Sequence, residues 1–153
     1  MPIPLALLEV LAWLLGIATL GALVVWTLVL LVTMLAAIYG SIVATALVAA
    51  LSQLGVAYRR NTSKPGVSFD CSGLTSFAWA QAGRALERQS TSQIRSAAPR
   101  ELETAMAGDL VQYPGHVMMY LGVDRAIVHS VMPGRPVEVD VVKARRSIKF
   151  GDP

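Results

Sequence analysis

From Val10 to Tyr39 the chain is almost continuously apolar, and no charged side chain occurs between residues 10 and 57. A bilayer-spanning helix needs about 20 such residues, so this stretch is long enough to cross one. A helix over residues 10–39 would run roughly 45 Å against a hydrocarbon core of about 30 Å, which favours one tilted span over two. Gly40-Ser41 offers the better break. Beyond it, Ile42 to Leu54, with Ser52 and Gln53, reads as a separate, shorter helix. A cleavable leader is disfavoured, because no Lys or Arg precedes the apolar run and the run is too long.

The pattern turns polar at Tyr58, and Tyr58 to Ser68 reads as a loop with a turn at Lys64-Pro65-Gly66. Asp70 suits a helix N-cap. Cys71 to Ala82 then sets Leu74, Phe77 and Ala78 on one helical face, with Gly83 as the stop. Ala85 to Gln93 is polar, and Pro99 to Ala107 reads as a connector with Glu101 and Glu103 at the surface. From Gly108 the period changes to two. Leu110–Tyr113, His116–Leu121 and Ala126–Val131 read as strands, and Gly122–Arg125 joins the last two as a hairpin loop. Val137-Glu138-Val139-Asp140-Val141 alternates like an edge strand. Lys143, Arg145, Arg146 and Lys149 read as a solvated basic end.

At 153 residues there is room for one compact domain and an appendage. All 13 Lys and Arg lie at or after Arg59, and Glu9 is the only charge before it, so the later part carries about +4. That suits an anionic envelope or membrane surface but is too diffuse for nucleic-acid binding. A single cysteine excludes an intramolecular disulfide.

Cys71 is that cysteine, and it falls in the first turn of its helix. Unpaired backbone N–H groups and the positive end of the helix dipole favour a thiolate there. A lone cysteine is most often a buried small hydrophobe, but the chain also holds two histidines, His116 and His129, on neighbouring strands. If Leu121 pairs with Ala126, Met118 faces His129 and His116 faces Val131. The histidines are then diagonal neighbours on one face, about 7–8 Å apart at Cα and within side-chain reach. The register in which they pair directly leaves them on the same face. A cysteine with a nearby histidine and a third polar group is an arrangement for nucleophilic catalysis.

Gly55-Val56-Ala57-Tyr58 and Phe69-Asp70-Cys71-Ser72-Gly73-Leu74 are followed in order by four further pieces. These are Arg88-Gln89-Ser90-Thr91-Ser92-Gln93, Gly108-Asp109-Leu110-Val111, Gly115-His116-Val117 with Tyr120-Leu121-Gly122, and Val128-His129-Ser130. Over roughly residues 42 to 142 the chain resembles an NlpC-type cell-wall peptidase domain. The resemblance implies a papain-like α+β fold, with N-terminal helices packed on an antiparallel sheet, over residues 41–153. Residues 1–40 are then a transmembrane segment in the bacterial cell membrane.

By the same resemblance the substrate is a peptidoglycan stem peptide, cut at the bond from γ-D-glutamyl to a diamino acid. Cys71 is the nucleophile, His116 the general base, and His129 the residue that orients it. Tyr58, Asp70, Ser72 and Ser90 line the substrate or oxyanion region, and Ser90 begins a short helix. The catalytic domain then faces the cell wall, although Arg59, Arg60 and Lys64 follow the apolar run and the positive-inside rule would keep them in the cytoplasm.

Two departures stand out. Arg59, Arg60, Asn61 and Thr62 replace the glycine pair that usually follows the tyrosine, and Met118 stands where glycine is frequent, which narrows the cleft if it faces there. An amidase or acyltransferase with the same machinery, or a catalytically idle scaffold in a membrane assembly, are the alternatives. A Cys71-His116-His129 zinc site would leave an open coordination position. No short ligand spacing supports it, and neither metal nor other cofactor is expected.

Overall fold

The computed structural model describes residues 5–143 and 147–153 of the chain. It divides into two compact units, Met1–Gly40 and Ser41–Pro153. Helix α1, Leu5–Leu51, continues through Gly40-Ser41 without the expected break. One glycine costs a helix interior only about 1 kcal/mol, and the flanking residues are rich in Ala and Leu. In the first unit the hydroxyls of Thr19, Thr27 and Thr33 each donate to the carbonyl three residues back at 2.9 Å, so they add no unpaired donor to an apolar surface. Within Thr19–Leu51 an 18-residue window has a mean hydropathy of 2.5, and the stretch is long and apolar enough to cross a membrane.

The second unit is α+β. Val43, Ala46 and Ala50 recur at helical spacing and bury against Phe69, Leu74, Ala78, Trp79, Met119, Val128 and Val137. The expected loop after α1 contains three two-residue strands, β1 (Ala57–Tyr58), β2 (Ser63–Lys64) and β3 (Ser68–Phe69), in the order β1-β3-β2. Helix α2 (Cys71–Gln81) and helix α3 (Ser90–Ser96) follow. Gly83 ends α2 at φ +80°, with its N–H on Ala80 O and that of Arg84 on Trp79 O, a Schellman closure.

The main sheet is antiparallel, in the order β4-β9-β5-β6-β7-β8. Its strands β5 (Leu110–Tyr113), β6 (His116–Tyr120), β7 (Ala126–Ser130) and β8 (Val137–Val141) match the alternating runs, and β8 is the edge strand expected. Two strands correct the sequence reading: β4 (Ala98–Arg100) lies in the supposed connector, and β9 (Lys149–Asp152) in the supposed basic end. Strand β9 inserts between β4 and β5, buries Phe150, and brings Asp152 within 2.6 Å of Arg100 Nη2. Arg145 and Arg146 lie outside the described residues.

Both faces of the sheet are apolar. Met119, Val128 and Val137 pack under α2, while Val111, Met118, Tyr120, Ile127 and Phe150 form a second core. Met118 is 2% exposed and fills that second core, so the narrowing of the cleft expected from it does not arise.

Candidate active site

Strand β3 delivers the chain to the start of α2 and is pinned from the sheet. The buried Ser130 hydroxyl, next to His129, donates to Phe69 O at 2.9 Å. Asp70 then caps α2 by accepting the Gly73 N–H at 2.6 Å, which leaves Cys71 as the first helical residue. The cap is itself held. Arg88 makes two 3.0 Å bonds to the Asp70 carboxylate, and a third donor reaches Thr62 O at 3.1 Å. Gly73 is required by this crowding, since a Cβ there would lie 2.1 Å from Thr62 O.

Asp70 and Ser72, both expected at the substrate or oxyanion region, line the cleft at Cys71, with their side chains bonded within the cap of α2. The Ser72 hydroxyl donates to Arg88 O at 2.8 Å and accepts from Arg88 Nη1 at 3.0 Å. What these residues leave available is backbone, because the first N–H groups of a helix have no intrahelical acceptor. The Cys71 side chain is half-buried against Ala97, Leu110 and Val117. It opens into a cleft of about 480 Å³ that also touches Tyr58, Arg60, Ser90, Gly115 and Pro133. Burial raises the Tyr58 hydroxyl above its ordinary range, with further raising by Cys71 and Asp70 against lowering by Arg60, so Tyr58 stays a donor.

The histidines follow the first of the two registers. Met119 pairs with Val128 and Tyr120 with Ile127, the register that, carried on, sets His116 diagonal to His129. His116 Nε2 lies 3.1 Å from His129 Nδ1, with the ring planes tilted by 60°. Gly115, the residue before His116, lines the cleft that holds Cys71. His129 is buried, and that burial lowers its pKa from 6.5 to about 4; Asp140 opposes the shift and Arg135 reinforces it. At neutral pH the ring is uncharged.

Several contributors have no assigned role in the sequence analysis. Gln93 is buried and fastens α3 to α2, accepting from Thr75 Oγ1 at 2.7 Å and donating to Glu87 O at 2.6 Å. Arg88 was quoted there only as part of a motif. Glu138 and Asp140 face His129 Nε2 at 3.6 and 3.9 Å. Among the described residues, His129, Glu138 and Asp140 have ligand-type atoms within 4.8 Å of one another. Arg135 contacts Glu138 and lies 3.9 Å from Asp140, so a cation already sits on this cluster, and Cys71 is not part of it.

Comparison with known proteins agrees with this fold. A 94-residue stretch, 60% of the chain, is 39% identical to "Probable endopeptidase Rv2190c" of Mycobacterium tuberculosis, and covers 24% of it. The chain thus spans about a quarter of that relative's length. The peptidoglycan hydrolase RipB from M. tuberculosis superposes with a TM-score of 0.63 at 27% identity, over 72% of this chain and 64% of RipB. RipD from M. tuberculosis, described as a non-catalytic NlpC/p60 domain protein adapted to peptidoglycan binding, gives a TM-score of 0.61 at 26% identity, over 72% of this chain and 95% of that one. The family model for NlpC/P60 matches residues 55–149, which include Cys71 and both histidines. The chain belongs to the NlpC/P60 family.

Proposed function

We propose that this chain is a membrane-anchored cysteine peptidase that cleaves peptidoglycan stem peptides, with residues 1–40 as the anchor and 41–153 as the catalytic domain facing the cell wall. The observation that carries the reading is the 3.1 Å contact between His116 Nε2 and His129 Nδ1, on strands tied through Ser130 to the residue pair preceding Cys71. Gly115 and Cys71 share one cleft. His116 takes the thiol proton, the Cys71 sulfur attacks the scissile carbonyl, and the same imidazole returns the proton to the leaving amine; water then releases the acyl group. The first N–H groups of α2 and the Tyr58 hydroxyl stabilise the oxyanion. The cleft carries Arg60, which suits a substrate with a free carboxylate, and the favoured bond joins γ-D-glutamyl to a diamino acid.

The test is the full chain in detergent micelles, incubated with defined stem peptides and read by mass spectrometry beside Cys71→Ala. Cleavage at one bond that vanishes in the variant supports the reading. A second reading, a peptidoglycan-binding module without turnover, draws on the likeness to RipD. Stem-peptide binding that survives in Cys71→Ala, with no cleavage by either protein, would favour it.

A further inference from the structure

The His129 imidazole connects two unlike environments. Its Nδ1 meets His116 Nε2 at 3.1 Å. Its Nε2 is buried and has no hydrogen-bond partner among the described residues. The oxygens facing that Nε2 are Glu138 Oε1 at 3.6 Å and Asp140 Oδ2 at 3.9 Å. Both come from β8, whose pairing sets Glu138 opposite His129 and Asp140 opposite Ile127. The side chain of His129 is 7% exposed, so little water screens what these groups do to one another. Arg135, from the turn before β8, closes the outer side on both carboxylates.

We propose that Glu138 and Asp140 hold the proton of His129 on Nε2 and thereby set the proton-accepting state of His116; this rests on the cysteine–histidine reading above. A neutral imidazole carries one N–H and one lone pair, and a carboxylate only accepts. A lone pair on Nε2 would face two carboxylate oxygens, a repulsion in a water-poor site, whereas an N–H there is attracted to both. Nδ1 of His129 is then the acceptor. His116 Nε2 must carry a proton to donate across the 3.1 Å contact, and His116 Nδ1 is left bare. That bare nitrogen is what a thiol proton needs. The opposite tautomer of His129 would donate to His116 Nε2, put the His116 proton on Nδ1, and remove the base. Glu138 and Asp140 are thus positioning residues that act through His129, and Arg135 supplies the compensating positive charge.

The chain has only two histidines, so the state of each ring can be read in the whole chain in micelles. With isotope-labelled histidine, a proton–nitrogen correlation spectrum at neutral pH reports which nitrogen of each ring is protonated. Both rings are expected to be protonated on Nε2 and bare on Nδ1. In the double variant Glu138→Ala/Asp140→Ala the remaining neighbour, Arg135, can only donate. The His129 proton should then move to Nδ1, the His116 proton should follow, and kcat should fall by at least about tenfold. If that protein does not fold, Glu138→Gln/Asp140→Asn removes both charges at nearly constant volume and is read the same way. A wild-type His129 protonated on Nδ1, or on both nitrogens, overturns the inference, as does a folded double variant with unchanged tautomers. Cleavage of stem peptides alongside unchanged tautomers would sink this inference and spare the proposed activity. The expected tautomers without cleavage would do the reverse.

Discussion

At the start of α2, Asp70, Arg88, Ser72 and Thr62 are bonded to one another at 2.8–3.1 Å. Across the sheet, His129 Nε2 faces its carboxylates at 3.6 and 3.9 Å, beyond hydrogen-bonding distance. The first arrangement is rigid and geometric. It fixes where one backbone turn begins, and hence where Cys71 points. The second is electrostatic and acts on which atom holds a proton. Damage to the first should appear as lost stability, and damage to the second as lost turnover or a changed response to pH.

The most disruptive change should be Gly73→Ala. Its Cβ would meet Thr62 O at 2.1 Å, Asp70 Oδ1 at 2.9 Å and Arg88 Nη2 at 3.1 Å, so the cap must open. A loss of about 3 kcal/mol or more is expected in denaturant titration, with activity lost in parallel. Next comes acid. His129 is held neutral with a pKa of about 4 against an ordinary 6.5, so the unfolded chain binds the extra proton between those values. The stabilising contribution is complete above the ordinary value and is lost as pH falls through about 4, a total of roughly 3 kcal/mol. Wild type should therefore lose more stability than His129→Gln between pH 7 and pH 4.

Arg88→Ala should cost less, about 1–2 kcal/mol, because the guanidinium is 43% exposed and solvent screens its pairing with Asp70. Smallest in stability, at about 1 kcal/mol, is Ser130→Ala, which deletes the bond to Phe69 O that ties the two sides together. Its sharper mark should be a lower kcat with KM nearly unchanged. An equal loss in a variant on one side alone would make the Ser130 link dispensable.

How much of this was legible in the sequence depended on how local the signal was. The Asp70 cap and the Gly83 stop rest on neighbours in the chain, and both are found, while β6–β7 takes the first of the two registers left open. Strands β4 and β9 are not local. Ala98-Pro99-Arg100 and Lys149-Phe150-Gly151-Asp152 lack alternation, and each becomes a strand through pairing with a segment about 50 residues away. The break expected at Gly40 does not form, because a single glycine weakens a helix without ending it.

The alternation in β8 marks a strand but not which of its residues face inward. Val137 at its start is 1% exposed, but Val139 and Val141 are 48% and 54% exposed, while Glu138 and Asp140 turn toward His129 and Ile127. In a half-buried strand the apolar side normally faces in, so nothing in the alternation revealed the carboxylates. The same inversion bears on solubility. Strand β8 is the last in its sheet; Gly55 and Val56 bond its start at Val137, and beyond that its edge with the exposed valines would make a template for a strand from another copy. Inward-pointing charges on such a strand disfavour that accretion, since a second sheet edge docking there would have to desolvate Glu138, Asp140 and Arg135 together. The residues that hold a proton in place thus also keep the open side of the sheet from growing.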